Sequence, residues 1–64
     1  MDKLFEQIIA RAHDMRMTEN ELREAAGITV ARYWRAKNDK VSSDSRIKVI
    51  RELEGALDVV ERAA

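Results

Sequence analysis

Seven cationic side chains fall between positions 29 and 51: Arg32, Arg35, Lys37, Lys40, Arg46, Lys48 and Arg51. Only Asp39 and Asp44 oppose them there, which leaves that stretch at +5. The chemistry open to such a run is binding of a polyanion, and nucleic-acid phosphates are the commonest one. The flanks carry the opposite sign. Residues 1–28 hold four cations and six carboxylates, and residues 52–64 hold Arg62 against Glu52, Glu54, Asp58 and Glu61. The formal net charge is therefore +0, yet the chain is dipolar, and the local field matters more for association than the sum. The plainer reading of the same charges is a solvated face.

Catalytic and metal chemistry find little support. His13 is the one histidine and there is no cysteine, so neither a zinc set nor a thiolate nucleophile can be assembled. Ser42 to Ser45 lie where helix caps belong, and no base with an orienting partner stands nearby to activate a hydroxyl. Glu19 with Glu21, and Glu52 with Glu54, read as solvated helix charges. The expectation is a non-enzyme with no cofactor, no metal and no small-molecule ligand. No apolar run approaches the roughly 18 residues of a membrane span. The start, Met1-Asp2-Lys3-Leu4-Phe5-Glu6, lacks the layout of a secretion signal. These features predict a cytoplasmic protein with no membrane association.

The length of 64 residues allows one small domain with a thin core, for which an oligomeric partner is plausible. Absent proline, few aromatics and abundant Ala, Glu, Arg and Lys predict an all-α chain of four to five helices. Leu4, Phe5, Ile8, Ile9, Ala12 and Met15 recur at helical spacing, giving a first helix over about 3–15 that Asp2 can cap. Arg16 suits its negative end. Thr18-Glu19-Asn20-Glu21 fits a capping box, and Met17 and Leu22 are spaced as a hydrophobic staple. The second helix then runs from Glu19 to about Ala26, and Gly27 supplies a left-handed end. Thr29 can cap a third helix from Val30 to about Lys37, followed by an Asn38-Asp39-Lys40 loop. Ser42, Ser43 or Asp44 can cap a last helix over about 43–62. Ile47, Ile50, Leu53, Leu57 and Val60 form its apolar stripe. Gly55 within it marks either a break or a close helix contact.

Two short helices joined by a tight glycine turn, the second one basic, describe a helix-turn-helix over about 18–37. Ile28, Tyr33 and Ala36 face inward in that reading, and Val30, Ala31, Trp34 and Arg35 point outward. Met17-Thr18-Glu19-Asn20-Glu21-Leu22-Arg23-Glu24-Ala25-Ala26-Gly27-Ile28-Thr29 resembles the helix-turn-helix of phage Cro and lambda-repressor-like regulators, and the resemblance extends over about residues 3–57. It departs from that pattern at Glu19, where the family usually has a phosphate-binding Gln, and at Arg23, where a small residue is usual. It departs again at Ala36, usually a branched aliphatic, and at Asp39, often Gly. Arg23 must then snorkel outward or the two helices must open slightly.

The resemblance implies that the chain binds double-stranded DNA in the major groove. Base reading would fall on Val30, Ala31, Trp34 and Arg35, with Arg32 on a base or a phosphate. Arg35 would pair with guanine, and Val30 and Ala31 would meet thymine methyls. The amide of Thr29, with Lys37, Asn38 and Lys40, would hold phosphates. The implied function is a homodimeric transcriptional regulator, a repressor of phage or prophage type. Leu57, Val59 and Val60 present apolar surface at more than one helical angle and are the expected dimer contact. Two readings compete: a protein-interaction adaptor or antirepressor on the same scaffold, which the zero net charge favours, and an excisionase-like recombination accessory, suggested by Arg32-Tyr33-Trp34-Arg35.

Overall fold

A computed structural model describes residues 3–63, and Asp2, the expected cap of the first helix, lies outside them. The described residues form four helices and no strand: α1 (Lys3–Asp14), α2 (Glu19–Ala25), α3 (Val30–Lys37) and α4 (Ser43–Ala63).

The first three helices end in the same way. In each, the residue two beyond the helix's last turn turns left-handed, and two backbone N–H groups reach back across the end. After α1 the residue is Arg16 (φ 60°), with Arg16 N–H donating to the His13 carbonyl at 2.9 Å and Met17 N–H to Ala12 at 2.8 Å. After α2 it is Gly27 (φ 72°), with Gly27 N–H on Glu24 at 3.0 Å and Ile28 N–H on Arg23 at 3.1 Å. After α3 it is Asp39 (φ 58°), with Asp39 N–H on Ala36 at 3.3 Å and Lys40 N–H on Arg35 at 2.8 Å. This paired arrangement, the Schellman motif, satisfies carbonyls that a helix end otherwise leaves bare. Glycine adopts the left-handed position freely, whereas an ordinary side chain there costs about 1 kcal/mol.

The starts are as well defined. Thr18 Oγ1 accepts from Glu21 N–H at 3.1 Å while Glu21 Oε1 accepts from Thr18 N–H at 3.0 Å, so the capping box is complete. Thr29 Oγ1 accepts from Arg32 N–H at 3.2 Å and starts α3. Of the hydroxyls before α4, Ser42 is the cap: its Oγ accepts from Ser45 N–H at 3.3 Å.

Eleven apolar residues form the buried core, and every helix contributes: Phe5, Ile8 and Ala12 from α1; Leu22 from α2; Tyr33 and Ala36 from α3; Val49, Ile50, Leu53 and Leu57 from α4; Ile28 enters from the turn. Met15, Met17, Ala26, Val41 and Ala56 pack around it. The α1 and α4 helices run in the same direction. Arg46 lies 5.9 Å from the Phe5 ring near their starts, and Arg11 pairs with Asp58 and Glu61 toward their ends. Phe5 meets Tyr33 edge-on, with ring centroids 6.0 Å apart.

Four expectations need correction. Leu4 is exposed, so the apolar face of α1 is narrower than its spacing suggested. In α4 the inward stripe runs through Val49, and Ile47 is 46% exposed. Leu57 is fully buried inside the chain and is therefore not available as a dimer contact. Gly55 neither breaks α4 nor makes a close approach: the helix continues to Ala63, and a Cβ at position 55 would meet nothing within 4 Å.

Candidate nucleic-acid interface

The α3 helix is two-faced because of where its large residues fall. Tyr33 and Ala36 are buried, and the positions one step to either side must then point away. Val30, Ala31, Trp34 and Arg35 occupy the outer face at helical spacing and are all exposed, Trp34 by 42%. The expected reading surface is thus brought together on one side of one helix.

Its flanks are tied back into the fold. Arg32, expected on a base or a phosphate, turns toward α4 and donates two parallel bonds to Glu52, at 2.9 and 3.2 Å. Lys37, expected on a phosphate, donates to Glu19 Oε2 at 2.8 Å, and its ammonium sits 4.6 Å from the centre of the Trp34 ring. Both partners lie on other helices, 20 and 18 residues away. Lys37 is also partly sheltered, so leaving Glu19 for a phosphate carries a cost. Thr29, Asn38 and Lys40 remain exposed.

Glu19 is the hub of the contact between α2 and α3. Its Oε2 accepts both from Lys37 and from the Tyr33 hydroxyl at 2.8 Å. Burial alone would raise the Glu19 carboxyl. The hydrogen bonds from Lys37 and Tyr33, with the charges of Lys37 and His13, outweigh it and hold the carboxyl below its ordinary range. Burial, then the bond to Glu19 and its negative charge, push the Tyr33 phenol well above the usual tyrosine value. A carboxylate that faces phosphates unpaired repels them, but here Lys37 neutralises Glu19.

Arg23 does not snorkel outward. One of its guanidinium nitrogens donates to the Ile28 carbonyl at 2.8 Å across the turn, and the side chain is only 14% exposed. An arginine thus fits between the two short helices by serving as a clamp on the turn that joins them.

Within the 29–51 stretch, Arg35, Lys40, Lys48 and Arg51 make no ion pair among the described residues. Lys48 and Arg51 were not assigned a role from sequence, although they belong to the +5 stretch. They line a shallow hollow with Asp44, Ser45 and Ile47 on the first half of α4. Two further depressions flank the motif. A cleft of about 510 Å³ is lined by His13, Arg16, Met17, Thr18, Glu19, Asn20 and Trp34. A groove of about 290 Å³ lies between the end of α2 and the second half of α4, lined by Ala25, Ala26, Glu52, Gly55, Ala56, Val59 and Val60. Val59 is 64% exposed at its edge. No group of three His, Cys, Asp or Glu among the described residues is placed to hold a metal, and none of the described helices is long and apolar enough to cross a membrane.

Comparison with protein-family models, curated proteins and solved structures finds no match to this chain.

Proposed function

We propose that this protein is a sequence-specific double-stranded DNA-binding regulator of the bacterial cytoplasm, with α2, the Gly27 turn and α3 acting as a helix-turn-helix. The observation that carries the reading is the outer face of α3: Val30, Ala31, Trp34 and Arg35 exposed side by side on a helix whose opposite face is locked into the core. A helix so held can enter a major groove without disturbing the fold. Arg35 is its one unpaired cation, and an arginine on such a face can bind guanine O6 and N7 together. Lys40, Lys48 and Arg51 supply charge for phosphates. Arg32 and Lys37 act on DNA only through the geometry of Glu52 and Glu19, which hold them.

The protein acts as a two-fold dimer, with the groove at Gly55, Val59 and Val60 as the contact between copies and half-sites about 10 bp apart. Repression of a phage or prophage promoter is the role that this architecture suits. The test is selection from a random duplex library at about 100 mM salt, where purely non-specific attraction is already weakened. An enriched palindrome supports the reading, and Arg35→Ala then relaxes preference at one position of each half-site. Enrichment that vanishes with modest salt, and that Arg35→Ala leaves unchanged, refutes it.

The two ion pairs that occupy Arg32 and Lys37 favour a second reading, an adaptor that binds a protein through the same scaffold. That reading predicts that Val59→Asp abolishes activity while Arg35→Ala and Lys40→Ala leave it intact.

A further inference from the structure

Trp34, the single tryptophan, sits on the outer face of α3 with its indole gripped from two sides. The Lys37 ammonium lies 4.6 Å from the centre of the ring. The Tyr33 ring meets it edge-on, with centroids 5.6 Å apart and planes at 84°. Both neighbours are anchored on one atom, Glu19 Oε2, which accepts from the Lys37 ammonium and from the Tyr33 hydroxyl at 2.8 Å each. The circuit from Glu19 through Lys37, Trp34 and Tyr33 back to Glu19 is therefore closed. Tyr33 is held by burial. Lys37 has a long flexible stem, which samples many rotamers when its far end has no partner. The pair with Glu19, on another helix, fixes that end over the indole. Beside Trp34 lies the cleft of about 510 Å³, so a released indole has open space to turn into. Val30, four residues earlier, is exposed on the same side of the helix.

We propose that Glu19 and Lys37 are positioning residues, which hold Trp34 in the orientation that lets it and Val30 present one apolar strip to thymine C5-methyl groups. The inference rests on the DNA-binding reading above and deepens it. It names what the outer face of α3 selects, and it gives Lys37 a role other than contact with a phosphate. Among the four bases only thymine offers a methyl group in the major groove. A ring already fixed gives up little freedom when it binds, whereas a ring free to turn into the cleft must first be ordered. Lys37, neutralised by Glu19, adds nothing to counterion release in this arrangement.

The test uses the full chain and the duplex enriched by the library selection, beside the same duplex with deoxyuridine in place of thymine, which lacks only the methyl groups. The unmodified chain is expected to bind the deoxyuridine duplex about fourfold more weakly for each methyl contacted, the worth of burying one group of that size. Lys37→Ala removes the clamp and suits a helix. It is expected to lose a similar factor on the thymine duplex, nothing further on the deoxyuridine duplex, and to keep the salt slope. In the free chain the emission anisotropy of Trp34 falls in Lys37→Ala and in Glu19→Gln. Lys37→Arg, which keeps a cation over the ring, restores both anisotropy and affinity. If Lys37→Ala weakens binding equally on both duplexes and lowers the salt slope by about one, Lys37 holds a phosphate. The positioning role is then wrong and the DNA-binding reading stands. Unchanged anisotropy in both variants, or equal affinity of the unmodified chain for the two duplexes, overturns the role in the same way. If the unmodified chain enriches no duplex, both are wrong.

Discussion

Replacing Glu19 by Gln isolates the charge at the hub between α2 and α3. The amide oxygen still accepts from the Tyr33 hydroxyl, and only the negative charge is lost. Glu19 and Lys37 are 31% and 25% exposed, so their pair lies near the upper end of the range for partly solvated pairs, about 1 kcal/mol. Converting the Tyr33 bond from charge-assisted to neutral removes up to about 1 kcal/mol more. The expected loss at pH 7 is about 1–2 kcal/mol, a fall in thermal midpoint of roughly 5–15 °C for a domain of this size. The sign with pH follows from the depressed carboxyl. Its contribution is complete above the unfolded glutamate value of about 4.3 and is lost as pH falls through the lower folded value. Thermal melts followed by helical circular dichroism, at pH 7 and near pH 2.5, check this. The gap between the two proteins is wide at pH 7 and closes in acid. A gap of equal size at both values, or none at pH 7, refutes the reasoning.

Asp39→Gly relieves the left-handed backbone after α3 and is expected to stabilise by about 0.5–1 kcal/mol, read from urea denaturation. Gly55→Ala adds a methyl group into open space on a continuous helix and is expected to add about 1 kcal/mol in the same assay. If copies pack over Gly55, sedimentation of that variant shows weakened self-association as well. Leu57→Ala empties a fully buried site and costs about 2–5 kcal/mol, enough to leave so small a domain largely unfolded. Val59→Asp keeps the monomer's helical spectrum. The raised Tyr33 phenol gives an alkaline limit: its contribution is whole below about pH 10, the unfolded tyrosine value, and is lost as pH climbs above that.

The helices were legible because their boundaries are written locally. Thr18 with Glu21, Gly27, and Thr29 act within four residues of themselves, and the structure places each where the spacing did. The register of α4 was only partly legible. Ile47 lies three residues before Ile50 and Val49 four before Leu53, so periodicity alone does not choose between them. The choice is made by α1 and α3, whose Phe5 and Tyr33 lie against the stripe through Val49. The outer face of α3 was legible for the same local reason, since burying Tyr33 and Ala36 forces Val30, Ala31, Trp34 and Arg35 outward. The fates of Arg32 and Lys37 were hidden because their carboxylate partners are distant in sequence. Arg23 was misjudged by size alone, when its polar head had a carbonyl to serve five residues on.

The placement of α4 has a consequence for how the chain acquires its structure. Each of the three turns closes within a few residues, so α1, α2 and α3 can form and dissolve on the microsecond scale. Each of them packs mainly against α4, and the residues it offers them, Val49, Ile50, Leu53 and Leu57, come from the last third of the sequence. During synthesis the first two-thirds therefore emerge as fluctuating segments. Folding is expected as one cooperative event after Leu57 has cleared the ribosome. A chain cut short before Leu53 remains protease-sensitive throughout, and one that extends beyond Leu57 becomes resistant everywhere at once.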